Sequence, residues 1–141
     1  MTVVVDSSLA IKWVFREELT GDALGLLRQW RAAGERLIAP PLFRAEVANV
    51  AWQKVRQGEA TLLEAVDAVE LLLEAVTVEE PPGLYRRGLD LASAFAQGSV
   101  YDALYLALAD AHFCPFFTAD RRFALALKGS PFSVRFLGEA R

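Results

Sequence analysis

The stretch Thr2-Val3-Val4-Val5-Asp6-Ser7-Ser8 places the tightest limit on what this chain can fold into. Three consecutive valines show no polar alternation, so a strand here has both faces covered, as in parallel sheets flanked by helices. β-Branched side chains suit that pleated, buried surface. The run ends abruptly in a carboxylate and two hydroxyls, and open parallel sheets bind their ligands beyond the carboxyl ends of the strands. Asp6 therefore has two compatible readings at this level: an N-cap for the helix that follows, or an acid delivered to a site at the sheet edge.

The rest of the chain alternates in the way such a sheet requires. Periodicity predicts a short helix over 8–15 and an amphipathic helix over 19–33, with Leu24, Leu27, Trp30 and Arg31 spaced by three and four and Gly34 as its stop. A strand over 36–39 leads through Pro40-Pro41 into a helix over 41–57, proline suiting a first helical turn. Its packing face is Leu42, Phe43, Val47, Val50, Ala51 and Val55, with Glu46, Asn49 and Gln53 as a polar stripe along one flank. A helix over 59–75 is expected to bury Leu62, Leu63, Val66, Val69, Leu72 and Leu73. A short strand over 75–78, a Glu-Glu-Pro-Pro-Gly loop and a helix over 84–97 follow. The helix over 101–113 is apolar on every side from Ala103 to Ala109, which places it in the interior. Pro115 to Thr118 reads as a strand ending in Thr118-Ala119-Asp120, a repeat of the opening pattern. A helix from Asp120 to Gly129 and an edge strand over 133–137 complete the chain. The expected architecture is a single α/β domain over 1–141, a three-layer sandwich whose central, mainly parallel sheet has about five short strands.

Composition excludes several classes. Hydrophobic residues make up 54% of the 141, enough for one real core. The formal net charge of −3 gives no broad basic surface for holding nucleic acid by charge alone. The strand follows Met1 directly, with no charged n-region or apolar h-region, so the expected location is the cytoplasm. The longest apolar run falls far short of the roughly 20 residues of a membrane helix. Cys114 is the single cysteine, which excludes an internal disulfide, and with His112 it makes too small a set for zinc. Trp13, Trp30 and Trp52 fall on apolar helical faces and read as packing residues, with a groove for a partner as the alternative.

Four acids remain. Asp6 and Asp120 follow apolar strands, Asp102 stands in the first turn of the interior helix, and Glu46 sits one turn into a helix entered from a strand. Parallel, neighbouring strands would bring these carboxylates to one edge, where mutual repulsion raises pKa values unless cations neutralise it. Carboxylate-rich, all-oxygen sites suit Mg²⁺ or Mn²⁺, which can activate water and stabilise a leaving oxygen of a phosphodiester. Other phosphate chemistries lack their motifs: there is no G-x-x-x-x-G-K-[ST] or G-x-G-x-x-G turn. Position 8 is Ser where a haloacid-dehalogenase-like enzyme needs a second Asp. The acidic pair of a response-regulator receiver is missing as well.

In order, the chain carries Val-Val-Asp6-Ser-Ser8, Pro41-x4-Glu46-x2-Asn49, Tyr101-Asp102-Ala103-x-Tyr105-x2-Leu108-Ala109 and Thr118-Ala119-Asp120. Each motif alone is weak, but together, over nearly the whole length, they resemble the PIN-domain ribonucleases, and specifically the VapC-type toxins of toxin–antitoxin pairs. The resemblance implies a PIN-like fold and a Mg²⁺- or Mn²⁺-dependent endoribonuclease with Asp6, Glu46, Asp102 and Asp120 as its acidic set. Asp6, Asp102 and Asp120 would ligate metal, with Glu46 ligating or orienting water. Ser8, Asn49 and Thr118 match positions that support the acids by hydrogen bonds. Some family members carry a further acid just after the last one, where this chain has Arg121 and Arg122, which puts a second tightly held metal in question. Lys12, Arg44, Arg121 and Arg122 adjoin the motifs and are candidates for RNA phosphates, against an ordinary solvated role. A cognate antitoxin and a homodimer are further implications of the resemblance. Two alternatives stand beside it: a non-catalytic PIN-like module that binds RNA or protein, and another metal-dependent phosphohydrolase acting on DNA flaps or small phosphoesters.

Overall fold

A computed structural model describes residues 1–139. Five parallel strands, β1 (Thr2–Val5), β2 (Arg36–Ala39), β3 (Thr77–Val78), β4 (Phe116–Thr118) and β5 (Val134–Phe136), form one sheet in the order β3-β2-β1-β4-β5. Seven α-helices flank it among the described residues: α1 (Ser7–Ala10), α2 (Thr20–Ala33), α3 (Leu42–Arg56), α4 (Leu62–Ala75), α5 (Leu84–Ala94), α6 (Tyr101–His112) and α7 (Arg121–Ala126). This is the expected α/β fold, with the sheet wholly parallel. β1 lies at its centre, and Val3, Val4 and Val5 are all buried, as a strand covered on both faces requires. From β1 the chain builds outward through β2 and β3, then crosses to the other side for β4 and β5. The crossing makes the β1–β4 boundary a topological switch point, the place where the carboxyl ends of two adjacent strands open a crevice.

Local chemistry sets most boundaries. Gly34 takes a left-handed φ of 71° to close α2. Thr61 and Glu64 form a reciprocal capping box, so α4 starts at Leu62 and not at the expected Glu59. The helix expected over 8–15 is only one turn, α1, and tightens into a 3-10 turn at Ile11–Trp13. Tertiary contacts account for the change: Trp13 Nε1 donates to the carbonyl of Ala23 at 2.9 Å, and Lys12 and Lys54 converge on Glu17 at 3.2 and 2.6 Å. The chain then enters α2 through a left-handed turn at Leu19.

Helix α6 lies in the interior, with Ala103 to Ala109 all buried against β1 and β4. α5 packs on it at Gly88, where an added Cβ would lie 2.7 Å from Leu104 Cδ2 and 3.5 Å from Val100 Cγ2. A Gly88→Val substitution should therefore lower stability by about 2–3 kcal/mol through overpacking, as read by urea unfolding. Wild-type stability in that variant would mean that the α5–α6 crossing is loose.

The burial expected for α4 needs correction. Leu62, Leu63, Val66 and Leu73 are exposed, and its fully buried contacts are Ala65, Ala68 and Leu72. Trp52 is likewise 52% exposed, whereas Trp30 is buried between Trp13 and Phe117. Periodicity marks apolar faces without saying how many neighbours cover them. α4 is apolar over more than one face, and only one of these meets α3.

Candidate active site

The acids expected at the sheet edge converge on the switch point. Asp6 leaves the end of β1, and its Oδ1 accepts from the Ser8 hydroxyl at 2.7 Å and the Leu9 backbone N–H at 3.0 Å. Its Oδ2 accepts from the Thr118 hydroxyl at the end of β4. Thr118 Oγ1 in turn accepts from the Asp120 N–H at 3.0 Å, and Ser8 Oγ accepts from the Ala119 N–H at 3.1 Å. These bonds lace the ends of β1 and β4 together. Asp6 is thus both an N-cap and a member of the cluster, so the two readings hold at once. It is 7% exposed, and burial pushes its carboxyl up to about 6 against the pull of those three hydrogen bonds, with the charge of Asp102 adding to the rise.

Glu46 faces the same region from α3. Its Oε1 accepts from the Tyr105 hydroxyl at 2.6 Å. Burial raises its carboxyl pKa and Asp102 raises it further, while hydrogen bonds from Tyr105 and Ser7 oppose the shift. Asp102, in the first turn of α6, is raised by partial burial and then by the charge of Asp120. Asp120 is exposed and caps α7 through the Phe123 N–H at 3.1 Å. Asp102 is the hub: its charge acts on Asp6 and Glu46, and that of Asp120 acts on it. Among the described residues, none of the four forms an ion pair with Lys or Arg, and the Asp102 side chain makes no hydrogen bond. Repulsion between carboxylates without a basic partner disfavours their ionised forms, and a nearby cation would relieve it.

Three or more His, Cys, Asp or Glu side chains do not form a ready-made metal cage among the described residues. The donor chemistry nonetheless fits a hard divalent cation, since the unpaired groups are all carboxylate oxygens. Asp102 and Asp120 are the acids with the fewest protein partners, and Asp6 stands beside them with its orientation already held by Ser8 and Thr118.

The other expected residues divide. Ser8 and Thr118 bond Asp6 directly, whereas Asn49 is exposed one turn beyond Glu46 and makes no hydrogen bond to the acids among the described residues. Lys12 is engaged by Glu17, while Arg44, Arg121 and Arg122 are exposed. The Arg121 guanidinium lies 4.9 Å from the Phe136 ring centroid. Two residues that the sequence reading did not assign, Ser7 and Tyr105, also reach Glu46. The available signal was the position of Tyr105 three residues after Asp102, hence on the same helix face.

The sequence matches the PIN domain family model over residues 3–126. No curated protein matches the chain. Among solved structures, PAE2754 from Pyrobaculum aerophilum is similar with a TM-score of 0.70 and 22% identity, over 96% of this chain and 83% of that one. VapC20 of Mycobacterium tuberculosis, described as a sarcin-ricin loop cleaving toxin, is similar with a TM-score of 0.64 and 18% identity, over 88% and 94%. VapBC-1 from nontypeable Haemophilus influenzae has a TM-score of 0.66 and 16% identity, over 98% and 99%. At these identities the structural likenesses speak for the fold alone, but the family match covers most of the sequence and spans all four acids just described, Asp6, Glu46, Asp102 and Asp120. From the sheet topology, the acids at its switch point and that match, the chain belongs to the PIN domain family.

Proposed function

We propose that this chain is a Mg²⁺- or Mn²⁺-dependent endoribonuclease of the VapC type, the toxin of a toxin–antitoxin pair. The observation that carries the reading is the set of Asp6, Glu46, Asp102 and Asp120 at the β1–β4 switch point, mutually repelling and without a basic partner among the described residues. A divalent ion held there by Asp6, Asp102 and Asp120 would supply Lewis-acid stabilisation of a phosphodiester and a more acidic water. The residues of the chain do the rest. Ser8 and Thr118 orient Asp6, Tyr105 and Ser7 hold Glu46, and the exposed Arg44, Arg121 and Arg122 stand where RNA phosphates would approach. With a net charge of −3, contact with RNA would depend on those local groups and on the bound cation.

The similarity to VapBC-1 and VapC20 supports an antitoxin as partner. An apolar groove of about 320 Å³ between α3 and α4, lined by Trp52, Val55, Leu62, Val66 and Val69 with Glu70 at its rim, supports the same reading. The protein would act in the cytoplasm as a single-domain homodimer; no helix among the described residues is long and apolar enough to cross a membrane. Cleavage of single-stranded RNA, single-stranded DNA and a generic phosphodiester, each with Mn²⁺ and with EDTA, tests the proposal. RNA cleavage that requires the metal is expected. Preferential hydrolysis of DNA or of the small ester would establish a different phosphohydrolase, and RNA binding without cleavage would establish a non-catalytic module.

A further inference from the structure

The contact between Tyr105 and Glu46 joins residues 59 apart in sequence, from α6 and α3, at a distance of 2.6 Å. Tyr105 is 1% exposed, and its ring stacks on Phe116 of β4 with centroids 5.7 Å apart and planes 15° from parallel. Phe116 is held in turn by an edge contact with Phe123. Packing therefore fixes where the ring lies, and a phenylalanine would fill the same space. The hydroxyl is a separate matter. A buried phenol oxygen is unfavourable unless it finds a partner, and this one points at a carboxylate. A phenol O–H is a donor and a carboxylate oxygen only an acceptor, so Tyr105 donates and Glu46 Oε1 accepts.

Glu46 needs such a donor. It faces Asp102, whose charge disfavours its ionised form, and among the described residues the bonds that oppose this come from Tyr105 and Ser7. A flexible glutamate next to a like charge would turn away toward solvent, whereas a short charge-assisted bond to a rigid ring holds one carboxylate oxygen in place. We infer that Tyr105 is a positioning residue for the acidic site: its hydroxyl clamps Oε1 of Glu46 from the hydrophobic core, so that the carboxylate keeps one orientation toward Asp102. This rests on the nuclease reading above and adds to it a residue that touches neither substrate nor metal.

The test is a cycle of four full-length proteins: wild type, Tyr105→Phe, Glu46→Gln and the double variant. Mn²⁺ affinity is measured by calorimetry and cleavage on a labelled single-stranded RNA pool at saturating Mn²⁺. Tyr105→Phe should leave the KM for RNA unchanged and lower kcat by about 10–100-fold, as for the loss of a group that orients a ligand. In the Glu46→Gln background the same change should have little further effect, because the group it positions is already gone. An equal fractional loss in both backgrounds, or wild-type kcat in Tyr105→Phe, overturns the inference while leaving the nuclease reading intact. A wild type that neither binds Mn²⁺ nor cleaves removes the nuclease reading, and this inference with it. Should Tyr105→Phe fail to fold, 3-fluorotyrosine incorporated into a Tyr85→Phe/Tyr101→Phe chain reports on residue 105 alone. Its ¹⁹F signal should move on Mg²⁺ addition and on Glu46→Gln, and a signal that responds to neither overturns the inference.

Discussion

Asp102→Asn should abolish saturable Mn²⁺ binding and reduce RNA cleavage by roughly 1,000-fold, equal to about 4 kcal/mol of barrier. Asp102 is chosen because it is the shared neighbour of the other acids, acting on Asp6 and Glu46 and acted on by Asp120. Folding should survive the change. The Asp102 side chain makes no hydrogen bond or ion pair among the described residues, and its raised pKa means that its charge works against the folded state. Calorimetric titration of Mn²⁺ into both proteins needs no knowledge of the RNA target. Wild-type affinity in the variant would show that the acids are not a metal site.

Asp6→Asn should make the metal-free protein more stable at neutral pH, by about 1–3 kcal/mol, while removing activity. The folded-state pKa of Asp6 is raised from 3.8 to about 6. Between these values the folded chain holds a proton that the unfolded chain has released, so stability falls as pH rises through that window. Below about pH 4 the penalty is absent, and above about pH 6 it is complete. Glu46 and Asp102 are raised as well and add in the same direction. Wild-type stability in EDTA, followed by urea unfolding, should therefore decline from pH 4 to 7, and the decline should be shallower in the variant. An asparagine oxygen can still accept from Ser8 and Leu9, and its amide can donate to Thr118 Oγ1, so most of the lacing between β1 and β4 is retained. A variant less stable than wild type at pH 7, with an unchanged slope, would show that the hydrogen bonds of Asp6 outweigh its burial. The expected gain reflects a general trade: groups poised for chemistry at a site work against the stability of the fold that holds them.

Strands, helices and acids were readable in this chain because each has a local cause. The valine run of β1 demands burial on both faces wherever it sits, and Ala103 to Ala109 demands the interior for the same reason. Asp6 and Asp120 follow strands, so a parallel sheet must deliver both to the same edge. Reading failed where the cause was not local. The helix expected beyond Ala10 is cut short by Trp13 reaching Ala23 in the next helix and by the Lys12–Glu17–Lys54 cluster, whose Lys54 comes from α3, so the cause lies outside the segment itself. In α4, leucine and valine periodicity could mark apolar faces but not count the elements available to cover them.

The site shows the same division. Residue types and their spacing pointed to Asp6, Glu46, Asp102 and Asp120 as acids that a βα fold would gather at the sheet edge. Which hydroxyl meets which carboxylate depends on the packing of separate elements. Thr118 reaches Asp6 across 112 residues because β4 pairs with β1, and Tyr105 reaches Glu46 across 59 because α6 is buried beside β4, where Phe116 fixes the ring. A hydrogen bond requires contact within about 3 Å, and only the folded core brings such distant groups to that separation.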